Sequence, residues 1–188
     1  MRIISGEARG RTLVAPAGQK TRPTQDYVRE SLFNILRFQV DGAMVLDLFA
    51  GTGALALESI SRGAKGAVLV DSDRAACEAI RKNIQSVQCG EKCRLIQRDY
   101  RQAVEELART GGKFDLVFLD PPYRMTETGE ICRKLADHDL LRPGTLILVE
   151  HRRGNSPQMD ERFQPEQARN YGDTEITFVR YKGNEDEK

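Results

Sequence analysis

Several things are missing from this 188-residue chain. No apolar run approaches the roughly 20 residues that a membrane-spanning helix needs. The first ten residues, MRIISGEARG, lack the long apolar core of a secretory signal. Together these absences predict a cytoplasmic protein with no membrane partner. Histidine is scarce: His138 and His151 stand far from the cysteines. Of the four cysteines, Cys77, Cys89, Cys93 and Cys132, only Cys89 and Cys93 are closely spaced, as C-x3-C. With no second pair at ligand spacing, no metal is expected, and the thiols read as reduced and structural. No serine–histidine or cysteine–histidine arrangement is evident for covalent catalysis. No heptad seam is evident, and a monomer is expected. There is no internal repeat and no low-complexity linker, and the length suits one domain with a sizeable core.

What is present begins with charge. The net value of +1 hides an asymmetry. Residues 1–24 carry Arg2, Arg9, Arg11, Lys20 and Arg22 against the single acid Glu7, while the end, NEDEK, is mostly acidic. A basic start can be a phosphate-contacting arm or a solvated edge, and charge alone does not choose. RIISGEARGRTLVAP reads as a short β-ribbon closed by Pro16 and Gly18. TRPTQDYVRESLFNILRF reads as a helix, with Thr24 as N-cap, Asp26 in the first turn, and Val28, Leu32, Ile35 and Leu36 on one face. From residue 44, apolar strands alternate with helical segments near 54–62, 73–87, 101–110 and 126–137. That alternation predicts a parallel sheet covered on both faces. A possible strand near 162–169 followed by EITFVRYK adds a hairpin-like antiparallel end. The divisions are 1–22 for the ribbon, 23–183 for the main domain and 184–188 for the acidic tail.

Two motifs carry chemistry. The first is DLFAGTG, Asp47 to Gly53, between a strand and a helix. Glycines there let the backbone approach a ligand. With Ala56 the spacing also satisfies G-x-G-x-x-A, and Asp71 lies twenty residues after Gly51, so a dinucleotide fits as well. The acids at strand ends, Asp47, Asp71 and Asp99, shift the choice. Carboxylates accept hydrogen bonds and donate none. They suit a ligand rich in donors and poor in negative charge, such as S-adenosyl-L-methionine, better than a pyrophosphate. Asp71 would take the ribose hydroxyls and Asp99 the adenine amine.

The second motif is DPPY, Asp120-Pro121-Pro122-Tyr123, after the apolar run FDLVFL. Asp120 and Pro121 both precede proline and are held extended, and neither proline has an N–H. The Asp120 carboxylate and the Pro121 carbonyl can converge on one –NH2 group, with the Tyr123 ring against a flat base. An exocyclic amine is a poor nucleophile because its lone pair is delocalised. Two acceptors gripping its hydrogens would turn that lone pair toward a sulfonium methyl.

DLFAGTG, DPPY, the opening GEARGRTL and the run TRPTQDYVRESLFN together resemble the RsmD family, bacterial small-subunit rRNA (guanine-N2)-methyltransferases. The likeness covers nearly the whole chain, from Arg2 to about Tyr181. It implies a Rossmann-like methyltransferase fold, α/β, with a seven-stranded, mostly parallel sheet whose last strand is antiparallel, plus the N-terminal ribbon. It implies S-adenosyl-L-methionine as cofactor, held by Asp47, Phe49, Ala50, Gly51, Gly53, Asp71, Ser72, Asp99 and Tyr100, and catalysis at Asp120, Pro121, Pro122 and Tyr123. It implies 16S rRNA or the small ribosomal subunit as partner, contacted by Arg9, Arg11, Lys20, Arg22, Thr24, Asp26 and Arg29, with Glu30 also bordering the pocket. The target would be the guanine at nucleotide 966. One departure is the second strand, which in the family often ends in glutamate and here ends in Asp71. The residues themselves leave open a methyltransferase acting on adenine N6 or a protein glutamine, an NAD-dependent oxidoreductase on the same glycine loop, and a non-catalytic RNA-binding assembly factor.

Overall fold

The computed structural model describes residues 1–18 and 23–184. The chain divides into two compact units, Met1–Tyr100 and Arg101–Lys188. In the first, helix α1 (Pro23–Ile35) is followed by strand β1 (Met44–Asp47), helix α2 (Ala54–Ser61), strand β2 (Gly66–Asp71), helix α3 (Arg74–Val87), a 3-10 turn and strand β3 (Cys93–Gln97). Helix α4 (Tyr100–Thr110) leads into the second unit, which continues with strand β4 (Phe114–Leu119), helix α5 (Thr128–Asp137) and strands β5 (Leu141–Arg152), β6 (Phe163–Tyr171) and β7 (Thr174–Tyr181). The seven strands form one mixed sheet in the order β3-β2-β1-β4-β5-β7-β6.

Within the first unit, β1–β2 and β2–β3 are parallel. Val45, Leu46, Leu69 and Val70 are fully enclosed, as expected of strands with helices on both faces. The helix α3 shows why the sequence period works. Ala76, Cys77, Ala79, Ile80, Asn83 and Val87 are its buried positions. Asp73 caps it by accepting the Ala76 N–H at 2.8 Å. Leu32, Phe33 and Leu36 are buried under α1. That helix starts at Pro23, two residues before the Gln25 start that a Thr24 cap implies. Pro23 occupies the first turn, where its missing N–H costs nothing, and Thr24 lies inside the helix rather than capping it.

The N-terminal ribbon is short. A single antiparallel bridge joins Arg2 and Thr12, supported by backbone bonds from Ile3 N to Arg11 O (2.9 Å) and from Leu13 N to Met1 O (2.8 Å). In the second unit β4 and β5 are parallel, and β7 is antiparallel to both β5 and β6, so the expected hairpin ends the sheet. Its outer strand β6 is mostly exposed and breaks register between Pro165 and Gln167. A proline and a bulge there discourage further strand pairing.

Candidate active site

In the first unit the glycine loop follows Asp47, the last residue of β1, which is 1% exposed. Gly53 caps α2 at φ 77, and a Cβ there would meet Leu69 Cδ2 at 2.8 Å. Both facts require glycine. At Gly51 a Cβ would meet nothing within 4 Å, so one flank of the loop is open. The Gly51 N–H donates to Asp71 Oδ2 at 2.8 Å, and the Asp73 N–H donates to Asp71 Oδ1 at 2.9 Å. Asp71 therefore fixes the loop across the top of β2. Each of its oxygens keeps a lone pair for a ligand hydroxyl. The Phe49 and Tyr100 rings lie 5.4 Å apart at 50°, making an aromatic wall beside exposed Asp99. Asp99 is two residues beyond the end of β3, rather than at its last position. Ser72 is exposed and Ala50 buried. The acids, the glycine cradle and the rings suit an adenosine carrying a positive charge, and Asp47 opposes a pyrophosphate.

In the second unit Asp120 is the first residue after β4, and Pro121 is buried while Pro122 and Tyr123 are exposed. The Tyr123 ring is 65% exposed and anchored through its hydroxyl to Thr174 Oγ1 at 2.7 Å. Met125 N–H donates to the Pro122 carbonyl at 2.8 Å, closing the turn. Among the described residues nothing donates to the Asp120 carboxyl. Protein atoms crowding that carboxyl push it up to about 6. Its side chain keeps an exposed face, so water offsets part of the push. The enclosed space against Pro121, Pro122 and Tyr123 is only about 20 Å³, room for a water and not a purine. A base would therefore have to lie on the open face of Tyr123.

Arg9 and Arg11 are exposed, and Arg11 reaches Gln88 Oε1 at 3.4 Å. Lys20 and Arg22 lie outside the described residues. Arg29, which the resemblance assigns to RNA contact, is placed in the interior. It is 4% exposed, bonded to Asp26 Oδ1 at 3.1 Å and to the Arg2 carbonyl, and 3.7 Å from Glu58 Oε2. Burial lowers its pKa, although Glu58 and Asp26 oppose this. Arg29 holds the arm to α1 from inside. A cleft of about 410 Å³ opens between arm and helix, lined by Arg2, Arg9, Asp26, Tyr27 and Glu30, and Tyr27 is 67% exposed. A larger one, about 630 Å³, lies by Arg11 and the segment 87–92, before β3 begins. It is at the opposite strand ends from Asp47 and Asp71, away from this chemistry.

The family model described as Conserved hypothetical protein 95, which is the RsmD family, matches residues 1–180. The chain belongs to the RsmD family. It is 41% identical over 150 residues to the Ribosomal RNA small subunit methyltransferase D of Escherichia coli, covering 80% of this chain and 74% of that one. The protein of that name from Haemophilus influenzae is 34% identical over 151 residues, 80% of this chain and 78% of that one. The solved structure of yhhF from Escherichia coli superposes with a TM-score of 0.84 at 35% identity, covering 98% of this chain and 99% of that chain. An RNA methyltransferase from Salinibacter ruber, solved with S-adenosyl-L-homocysteine, shares the fold at 15% identity, with a TM-score of 0.65 and coverage of 88% and 95%. In this RsmD-family chain sequence reasoning passed over Glu58 and Asn83, which tie down the arm, and over Tyr27 and Glu150, which line clefts. The last had a visible signal: Glu150 closes the apolar run LILVE as Asp71 closes AVLVD.

Among the described residues no group of three His, Cys, Asp or Glu could hold a metal ion, and no helix is long and apolar enough to cross a membrane.

Proposed function

We propose that this chain is an S-adenosyl-L-methionine-dependent methyltransferase that methylates the exocyclic N2 amine of a guanine in small-subunit rRNA. The observation that carries it is the acceptor-only corner at the end of β4, where Asp120 is followed by two prolines and an exposed ring. The family relatives named for small-subunit rRNA supply the substrate class.

The first unit is read as the cofactor cradle. Gly51 and Gly53 leave room for the ligand, Asp71 takes ribose hydroxyls, and Phe49 and Tyr100 flank the adenine near Asp99. When bound, S-adenosyl-L-methionine supplies a methyl on a sulfonium and keeps the C–S electron pair as a neutral thioether. The second unit is read as the amine clasp. Asp120 and the Pro121 carbonyl accept the two N2 hydrogens, which turns the nitrogen lone pair toward the methyl. Hydrogen bonds to a charged group contribute about 1.5–3 kcal/mol. Orientation of the reactants contributes up to roughly 7–11 kcal/mol. After the N–C bond forms, the surplus N2 proton leaves to Asp120 or to water, which reach it at the exposed face. Tyr123 stacks on the base, offsetting part of the few kcal/mol spent flipping it out of a helix. Arg9 and Arg11 would meet phosphates, and the Tyr27 cleft would take a neighbouring nucleotide.

The test is transfer of labelled methyl to small ribosomal particles and to naked rRNA, with the product base identified by mass spectrometry. N2-methylguanine in either is expected. N6-methyladenine, or no product from cofactor-bound protein, would overturn the reading.

A further inference from the structure

Glu150 lies level with Asp120 on the neighbouring strand. In the β4–β5 register Leu119 lies beside Val149, so the next residues along the two parallel strands are Asp120 and Glu150. Adjacent strands are about 4.8 Å apart, and residues level with each other project to the same face. On its other side Glu150 pairs with apolar Ile176 of β7. Its neighbours on the same ribbons are satisfied: His151 bonds Thr177 Oγ1 at 2.7 Å and lies 3.5 Å from Glu175. Glu150 differs. It is half-buried, it shares the small cleft with Pro121, Pro122 and Tyr123, and no described residue bonds or ion-pairs with its carboxyl. Two neighbouring carboxyls without donors are costly in a folded protein. They match a ligand edge that brings donors of its own.

We propose that Glu150 determines the choice of base by accepting the N1–H of guanine while Asp120 and the Pro121 carbonyl hold its N2 amine. This rests on the guanine-N2 reading above and deepens it. Guanine places two donor positions, N1–H and N2–H, side by side. Adenine places an N1 lone pair where guanine has N1–H, and that lone pair would face the Glu150 oxygen. Burial and the charge of Asp120 both push the Glu150 carboxyl upward, and a bonded N1–H opposes that push by favouring the ionised, accepting form.

The discriminating substrate is 2-aminopurine. It keeps the 2-amine and lacks the N1 hydrogen. Small-subunit rRNA is prepared with guanine or 2-aminopurine at the position that wild type methylates, and kcat/KM is measured for each. Wild type is expected to favour guanine by about a hundredfold or more, because a site built to bond a donor rejects the analogue without it. In Glu150→Gln the amide offers both a donor and an acceptor, and the preference is expected to fall within about tenfold. Glu150→Asp keeps the carboxylate, so it should keep the preference at a lower rate. Cofactor titration of each variant should match wild type, and neither variant should melt below it, which separates selectivity from folding. Equal use of both bases by wild type, or an unchanged preference in Glu150→Gln, overturns the assignment while leaving guanine-N2 methylation standing. Transfer by wild type to neither base overturns the parent reading together with this one.

Discussion

The buried carboxylate Glu58 gives the sharpest stability prediction. It lies on α2, the helix that opens from the glycine loop, and is 0% exposed. Its oxygens accept the backbone N–H groups of Ile4 at 2.9 Å and Ser5 at 3.0 Å. Arg62 Nε lies 2.8 Å away and Arg29 Nε 3.7 Å. Arg62 is itself held over the Phe33 ring at 4.9 Å. In Glu58→Ala two backbone donors lose their acceptor, Arg62 loses its counter-charge and Arg29 keeps only that of Asp26. Breaking one side of a buried ion pair costs about 3–5 kcal/mol. Each unsatisfied N–H costs about 1–3 kcal/mol by itself. These overlap, because water entering the vacated space recovers part of the second cost. A loss of about 3–5 kcal/mol is expected, which for a chain of this size lowers Tm by about 6–20 °C. The assay is thermal and urea denaturation followed by circular dichroism, with hydrogen exchange read at Ile4 and Ser5. If the arm detaches by itself, the cost appears as lost protection at those two amides. A Glu58→Ala protein that melts within about 1 kcal/mol of wild type, with both amides still protected, would refute the reasoning.

Three further outcomes follow from the second unit. Asp120→Ala should lower methyl transfer by at least about a hundredfold, from a lost charged hydrogen bond and lost orientation; cofactor affinity by calorimetry should change less than about threefold, and equal loss of both would show the residue misassigned. Tyr123→Ala should lower kcat/KM about five- to a hundredfold, the range for one stacked base, whereas Tyr123→Phe keeps the ring and should stay within about fivefold; equal effects would mean that the hydroxyl bond to Thr174 matters rather than the ring. The third concerns pH. Asp120 and Glu150 sit above their ordinary values of 3.8 and 4.5, at about 6 and about 8. The folded state therefore binds more protons than the unfolded state between those values. Their contribution to stability is full below about pH 4 and is lost as pH rises through 6 and then 8. Glu150→Gln should remove the upper part of that decline, leaving it about 1–3 kcal/mol more stable than wild type at pH 8; urea midpoints of the two proteins that run parallel from pH 5 to 8 would count against it.

Much of this was legible in the sequence because it depends on local patterns. The strand–helix alternation, the late hairpin, the glycine loop and the strand-end acids each follow from period, turn chemistry or chain direction. Asp47, Asp71 and Asp120 lie at or just past the ends of their strands. Asp99 misses by two residues because β3 stops at Gln97, before the polar RD pair. What was not legible depends on who faces whom. Arg29 has no local sign of burial, which involves Glu58, twenty-nine residues away. Glu58 is a lone acid on the apolar helix ALALESIS, and its purpose is visible only with the arm folded over it. Thr24 satisfied the cap rule, but Pro23 is a better first-turn residue and moved the boundary. Glu150 closes the apolar run LILVE but lies two residues before β5 ends at Arg152; without the register beside Asp120 it had no partner to give it meaning.

The arm's attachment bears on how RNA would be held. Its backbone is fixed by side chains of the cofactor-loop helix and the next one: Glu58 holds residues 4 and 5, Ser61 holds Ala8 N at 2.9 Å and Ser5 O at 2.6 Å, and Glu7 N donates to the Ser61 carbonyl at 2.8 Å. Gly6 permits that approach, since a Cβ there would lie 1.8 Å from the Ser61 carbonyl oxygen. Farther along, buried Asn83 accepts the Val14 N–H at 2.8 Å and donates to the Val14 carbonyl at 2.9 Å and the Thr52 carbonyl at 2.8 Å. One amide thus ties the arm to the glycine loop itself. A floppy basic tail would lose its freedom on meeting RNA, at about 1–2 kcal/mol per ordered residue. Here that ordering is already complete, and Arg9 stays exposed on a fixed backbone. The same amide joins loop to arm, so a change at Thr52 reaches Val14 through one side chain. Cofactor binding that stiffens the loop should therefore tighten RNA binding by the arm, and by reciprocity RNA should tighten cofactor binding by the same factor.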